Sequence, residues 1–187
     1  MTSESHIHLT SEMVQALAHP LRMRMLGILR VEGPATATDL ARRCDTNTGA
    51  TSYHLRQLAE VGLVEEDERP EGGRRRWWKA SQSSMSWRDT EHDDDPKART
   101  ASDWLVRNLH RTYGTWVDSW LDARDEWPKE WKDAADQSDF VVTATPDRLV
   151  ELNDKIHQLI IEFGQERHEG EQVAIVFYSF PERVIER

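Results

Sequence analysis

Residues 47–66 read NTGATSYHLRQLAEVGLVEE. Thr51, Leu55 and Leu58 recur at helical spacing, and Gly62 stands where a helix would end in the left-handed conformation. The other flank carries Thr48, Gly49, Ala50 and Ser52 near its start, then Tyr53 and Arg56 one turn on. Such a helix has one side made for a core and another kept slim and polar. The short stretch after Gly62, LVEE, reads as a strand.

Working upstream, Asp45 to Asn47 form a three-residue turn, preceded by a short helix that Thr38-Asp39 opens and that runs through Arg43, burying Leu40. Gly33-Pro34 stops an earlier helix, which starts after His19-Pro20 and has Leu21, Met25, Leu26 and Leu29 as its apolar stripe. A first helix covers roughly 11–18. Downstream, LVEEDERPEGGRRRWWKA predicts a β-hairpin whose tip lies at Pro70 to Gly73 and is followed by Arg74, Arg75 and Arg76. The order is helix, tight turn, helix, basic hairpin.

That order sets a chemistry. A helix entering the major groove cannot carry bulky apolar groups on its outer face, and small residues near its N-terminus let backbone N–H groups approach phosphate. Tyr53 and Arg56 can reach base edges or backbone, and arginine pairs well with guanine. The hairpin arginines supply charge for phosphate. The expected DNA-contacting set is Thr48, Gly49, Ser52, Tyr53, Arg56, Arg74, Arg75 and Arg76.

The stretches LAHPLRMRMLGIL, TATDLARRC, NTGATSYHLRQLAEVGLVEE and GGRRRWWKAS, in that order, resemble the ArsR family of winged helix-turn-helix transcriptional regulators over roughly residues 9–81. The resemblance implies a homodimeric repressor, released from its operator by an effector; two-fold symmetry would make that operator a palindrome. Metal sensors of that family often carry a Cys-x-Cys pair before the recognition helix. The corresponding stretch, ATDLARRC, has only Cys44, and Asp103 and His110 do not reproduce the pattern of the long C-terminal helix in such sensors. No metal ligand set and no cofactor is expected. Cys44 reads as a plain buried thiol, His54 as a structural hydrogen-bonding residue, and His6-x-His8 as part of a loose tail.

The 187 residues suit one large domain or two small ones. Residues 1–80 hold 11 basic and 11 acidic side chains; residues 81–187 hold 13 and 23 and carry the whole net charge of −10. Global acidity therefore says little about what the first half binds. One cysteine excludes an intrachain disulfide, and no leader or long apolar run appears, so a cytoplasmic chain without membrane association is expected. No catalytic motif is present, neither Gly-x-Ser-x-Gly nor His-Glu-x-x-His nor a phosphate-binding loop, and the chain is not expected to be an enzyme.

The expected architecture is mainly α with small β, an α+β chain. A winged helix-turn-helix spans residues 1–80, a polar and acidic linker 81–100, and a dimerisation and effector-binding part 101–187. That last part is read as a long Trp-rich helix followed by strand (DFVVTAT), helix and strand (EQVAIVFYSF). Five of the eight tryptophans fall within residues 104–131. The helix bears apolar residues on more than one flank, which reads as core and dimer interface, with an apolar or aromatic effector pocket as the second use. Trp104, Tyr113, Trp116, Trp120, Phe177 and Tyr178 are the candidate lining. Two rivals remain at this stage: a metal- or redox-responsive repressor of the same fold, and a winged helix used to bind protein instead of DNA.

Overall fold

The computed structural model describes residues 6–68, 75–166 and 170–181. They form a mainly helical α+β chain with two small sheets, divided into two compact units at residues 1–108 and 109–187.

The first unit begins with β1 (His6–His8), then α1 (Ser11–Leu17) and α2 (Pro20–Val31). Thr10 caps α1 by accepting the Met13 N–H, and the His19 ring caps α2 by accepting the Leu21 N–H, with Pro20 at the first helical position. Gly33, at φ +84°, turns the chain after α2. Next come β2 (Ala35–Thr36), α3 (Ala37–Arg43) and α4 (Thr48–Glu60). Thr36 and Asp39 make a reciprocal capping box on α3. The connection to α4 passes through Asp45, a non-glycine residue at φ 53°, and closes on Asn47, whose side chain accepts the Ala50 N–H at 2.9 Å. Gly62, at φ +73°, ends α4 and turns the chain into β3 (Val64–Glu66).

The hairpin strand β4 (Trp77–Ala80) lies between β2 and β3, antiparallel to both. Val64 faces Ala80, Glu66 faces Trp78, and Ala35 also faces Trp78. Two-residue β2 was not anticipated; Ala35-Thr36 is too short to show a period. The expected tip at residues 70–73 lies outside the described residues.

The core of this unit is apolar and closely packed. Leu17, Met25, Leu29, Leu40, Leu55, Leu58 and Leu105 are sealed from solvent. Thr51 is also fully buried, and its hydroxyl donates to the Ala37 carbonyl at 2.8 Å, tying α4 to the start of α3. Thr51→Val removes that bond while keeping the shape, so the tie between α4 and the first turn of α3 is lost. We expect a loss of about 1–2 kcal/mol in denaturant unfolding, with the helix content unchanged.

The structure departs from expectation in three places. His6-x-His8 is not a loose tail: it pairs in parallel with β5 (Ser84–Ser86), and the His6 ring bridges the Ser84 and Ser86 hydroxyls at 2.9 and 2.8 Å. Segment 81–100 is not a bare linker: it contains β5, a 3-10 turn at Asp89–His92 and the start of α5 (Pro96–Ala123), with His92 and Ala98 buried. Its acidic run has a structural use, because Asp95 caps α5 by accepting the Lys97 and Ala98 N–H groups and also accepts from Gln15.

The third concerns the second unit, which holds the end of α5, α6 (Lys129–Ala134) and α7 (Pro146–Gln165). Thr145-Pro146 starts α7 as expected, with the Thr145 hydroxyl accepting the Arg148 N–H. The flanking segments DFVVTAT and EQVAIVFYSF are exposed and belong to no sheet among the described residues. An apolar run takes strand form only when a neighbouring backbone accepts its hydrogen bonds, and no described segment does so here.

Candidate nucleic-acid interface

Helix α4 is held from behind by Thr51, Leu55 and Leu58, which leaves its opposite flank outward. Thr48, Gly49, Tyr53 and Arg56 are exposed there, Tyr53 at 52 %, while Ser52 is half-buried. The first N–H groups of α4 have no helical acceptor, so Thr48 and Gly49 present donors at the positive end of the helix dipole. Gly49 has a second reason for being glycine: a Cβ there would lie 3.1 Å from the Asn47 side-chain oxygen (Oδ1) that caps the helix.

Beside this flank lies an open cleft of about 450 Å³ lined by Ser52, Arg56, Arg75 and Arg76, with Thr36, Thr38 and Asp39 across it and Trp78 at its wall. The fold thus brings cations of α4 and of the hairpin, about 20 residues apart in sequence, to one concave surface. Arg56 donates from Nε to the Ser52 carbonyl at 3.2 Å. Arg76 pairs with Glu66 at 3.2 Å on an exposed rim, where such pairs contribute little. Arg75 is exposed. Arg74 lies outside the described residues.

Asp39 was missed as a site residue, although Thr36-x-x-Asp39 is a legible capping signature. The Thr36 hydroxyl bond holds its carboxyl below the usual range; burial opposes, and the Thr36 backbone, Arg42 and Arg43 act in the same direction as the hydroxyl. A carboxylate pKa that is lower when folded contributes stability above the unfolded value, near 4, and loses it as pH falls through the folded value. Asp39→Asn is therefore expected to flatten the fall in unfolding free energy below about pH 4, measured by urea denaturation. An equal slope in both proteins would show that Asp39 is not a source of acid sensitivity.

His54 departs from expectation. Its Nδ1 is buried with no hydrogen-bond partner among the described residues, and its ring sits 4.4 Å from that of His19. Burial first, then the His19 and Arg22 charges, push the His54 imidazole below its ordinary value, and the ring packs from α4 against His19 at the start of α2. Cys44 is buried, and burial pushes its thiol up; the thiolate needed for redox chemistry is disfavoured.

In the second unit, Tyr113 lies 5.1 Å from Trp116 and 6.4 Å from Tyr178, Phe177 packs edge-on to His157, and Trp120 stacks toward Trp127. Trp104 is half-buried in the first unit.

Residues 17–67 match the family model described as a helix-turn-helix domain. With α3, its turn, α4 and the β3–β4 hairpin in sequence, the geometry and the match agree. The first unit carries a winged helix-turn-helix domain. No curated protein matches the chain. Among solved structures, it is similar to the homodimeric winged helix-turn-helix DNA-binding domain of a possible ArsR-family regulator from Mycobacterium bovis, at 23% identity and TM-score 0.36 over 54% of this chain and 76% of that one. It is similar at 20% identity and TM-score 0.35 to reduced HlyU from Vibrio cholerae, over 55% and 85% of the two chains. A possible transcriptional regulator for arsenical resistance aligns at 25% identity and TM-score 0.34, over 67% and 98%. The winged helix-turn-helix domain places Ser52, Arg56, Arg75 and Arg76 on one cleft. Among the described residues, no helix is long and apolar enough to cross a membrane.

Proposed function

We propose that this chain is a sequence-specific DNA-binding transcriptional regulator, a homodimeric repressor acting in the cytoplasm. The observation that supports it best is the cleft: the outward flank of α4 and the hairpin arginines share one concave, cation-lined surface. In this reading Thr48, Gly49, Ser52, Tyr53 and Arg56 enter the major groove, and Arg74, Arg75 and Arg76 hold the flanking phosphates. Two-fold symmetry then sets the recognition helices about 34 Å apart, and the operator is a palindrome with half-sites one turn apart.

The second unit serves dimerisation and effector binding. Tyr113, Trp116, Trp120, Phe177 and Tyr178 give an apolar or aromatic compound ring faces to stack on. An effector that prefers a dimer with misplaced recognition helices must weaken DNA binding by the same factor; a tenfold loss takes about 1.4 kcal/mol of coupling.

Selection of bound duplexes from a random library tests the reading. A palindromic consensus with half-site centres about 10 base pairs apart is the expected result. Recovery of no enriched sequence from a folded dimer would count against DNA recognition.

A further inference from the structure

The second unit leaves many of its apolar residues exposed. Among its described residues Leu109 alone is buried. Helix α7 has no buried residue, and Val150, Leu152 and Leu159 on it are 40, 43 and 67% exposed. The two flanking segments are more open still: Phe140 is 84% exposed, Val141 83%, Val173 65% and Phe180 73%. Residues 140–144 and 172–180 donate and accept no backbone hydrogen bond among the described residues.

Both segments are apolar in runs, Phe140-Val141-Val142 and Val173 through Tyr178, without the alternation of a half-exposed strand. Continuous runs of this kind suit strands covered on both faces. A single α7 covers one face at most. At about 200 Å² per aromatic side chain, the exposed fractions of Phe140, Phe177, Tyr178 and Phe180 amount to roughly 500 Å² by themselves. The exposed valines and Ile175 bring the summed area of the two segments to the order of the 800 Å² that each partner gives to a stable interface.

We propose that residues 140–144 and 172–180 are the surface on which a second copy of this chain docks, their backbones joining a sheet shared by the two chains. The inference rests on the homodimeric reading above and names where the two copies meet. The segments themselves select the partner. Between Asp139 and Asp147, and between Glu171 and Glu182, neither carries a charged side chain, so a charged foreign protein finds nothing complementary. A two-fold axis gives each open edge its own counterpart in the other chain, with no need for a partner that brings two strands of its own. The acidic residues of the unit remain outside these stretches, where water and salt screen them.

The test uses the full chain without DNA. Sedimentation and amide hydrogen exchange are measured at about 100 µM and about 1 µM, so that dissociation is driven by dilution. The expected result is a dimer whose amides at 140–144 and 173–180 exchange at least about tenfold more slowly than after dilution. The double variant Val141→Asp, Ile175→Asp is expected to be monomeric at the higher concentration while the thermal transition of the first unit is retained. A chain monomeric at 100 µM would overturn the proposal. So would a dimer in which both segments exchange freely, a protection independent of concentration, or a double variant that stays dimeric. A dimer with protected segments that selects no duplex would sink the DNA reading alone; a chain that selects palindromes as a dimer with both segments unprotected would sink this inference alone.

Discussion

Replacing Arg75 and Arg76 together by alanine is expected to weaken operator binding about a hundred- to a thousandfold at 0.15 M salt, and to flatten the salt dependence. With about three phosphates neutralised per chain and two chains bound, the log–log slope is near −5; removing four of the six contacts leaves it near −2. The effect is large because counterion release is collective, and it is readable because the variant should stay folded. Arg75 is exposed, and the Arg76–Glu66 pair lies on an exposed rim, so the stability change is expected within about 0.5 kcal/mol. Fluorescence anisotropy of a labelled duplex between 50 and 300 mM salt measures both quantities. An unchanged slope in the double variant would favour a winged helix that binds protein.

Leu55→Ala has the largest expected effect on stability. Leu55 is fully buried on the inner flank of α4, where that helix meets the core. Removing three carbons there costs about 2.5–5 kcal/mol, through lost burial and a cavity that closes only in part. Against a total of about 5–15 kcal/mol, the domain becomes marginal. Affinity for DNA should fall only as the folded fraction falls, since Leu55 faces away from the cleft. Denaturant unfolding followed by circular dichroism gives the first number, and titration of the variant at low temperature gives the second. A loss below about 1 kcal/mol would mean that α4 is held mainly by other contacts, the Thr51 bond to α3 among them.

Local chemistry made much of this legible in the sequence. Pro20 and Thr145-Pro146 mark helix starts because a missing N–H costs nothing at the first turn. Thr51, Leu55 and Leu58 announce a buried flank by spacing alone, and the structure seals all three. Long-range pairing was not legible. Nothing in HIH indicates that it will lie beside Ser84–Ser86, almost 80 residues away. Asp95 looked like one more solvated carboxylate in an acidic run until α5 placed its first N–H groups against it. Gly49 shows a milder version: its slimness was read as an opening for DNA, while the capping oxygen of Asn47 limits that position as well. In the second unit the apolar runs of DFVVTAT and EQVAIVFYSF were plain, but a strand also requires a neighbour, and no described segment of the chain is that neighbour.

The central claim is that the outer flank of α4 and the hairpin arginines enter the DNA interface together. Amide resonances of the full chain, followed during titration with its selected duplex, test it most directly. The account predicts shifts concentrated at Thr48, Gly49, Ser52, Tyr53 and Arg56 on α4 and at Arg75 and Arg76 beside it, with Leu109 and the second unit little changed. Tight binding that leaves those α4 and hairpin resonances where they were, and moves another surface, would contradict it.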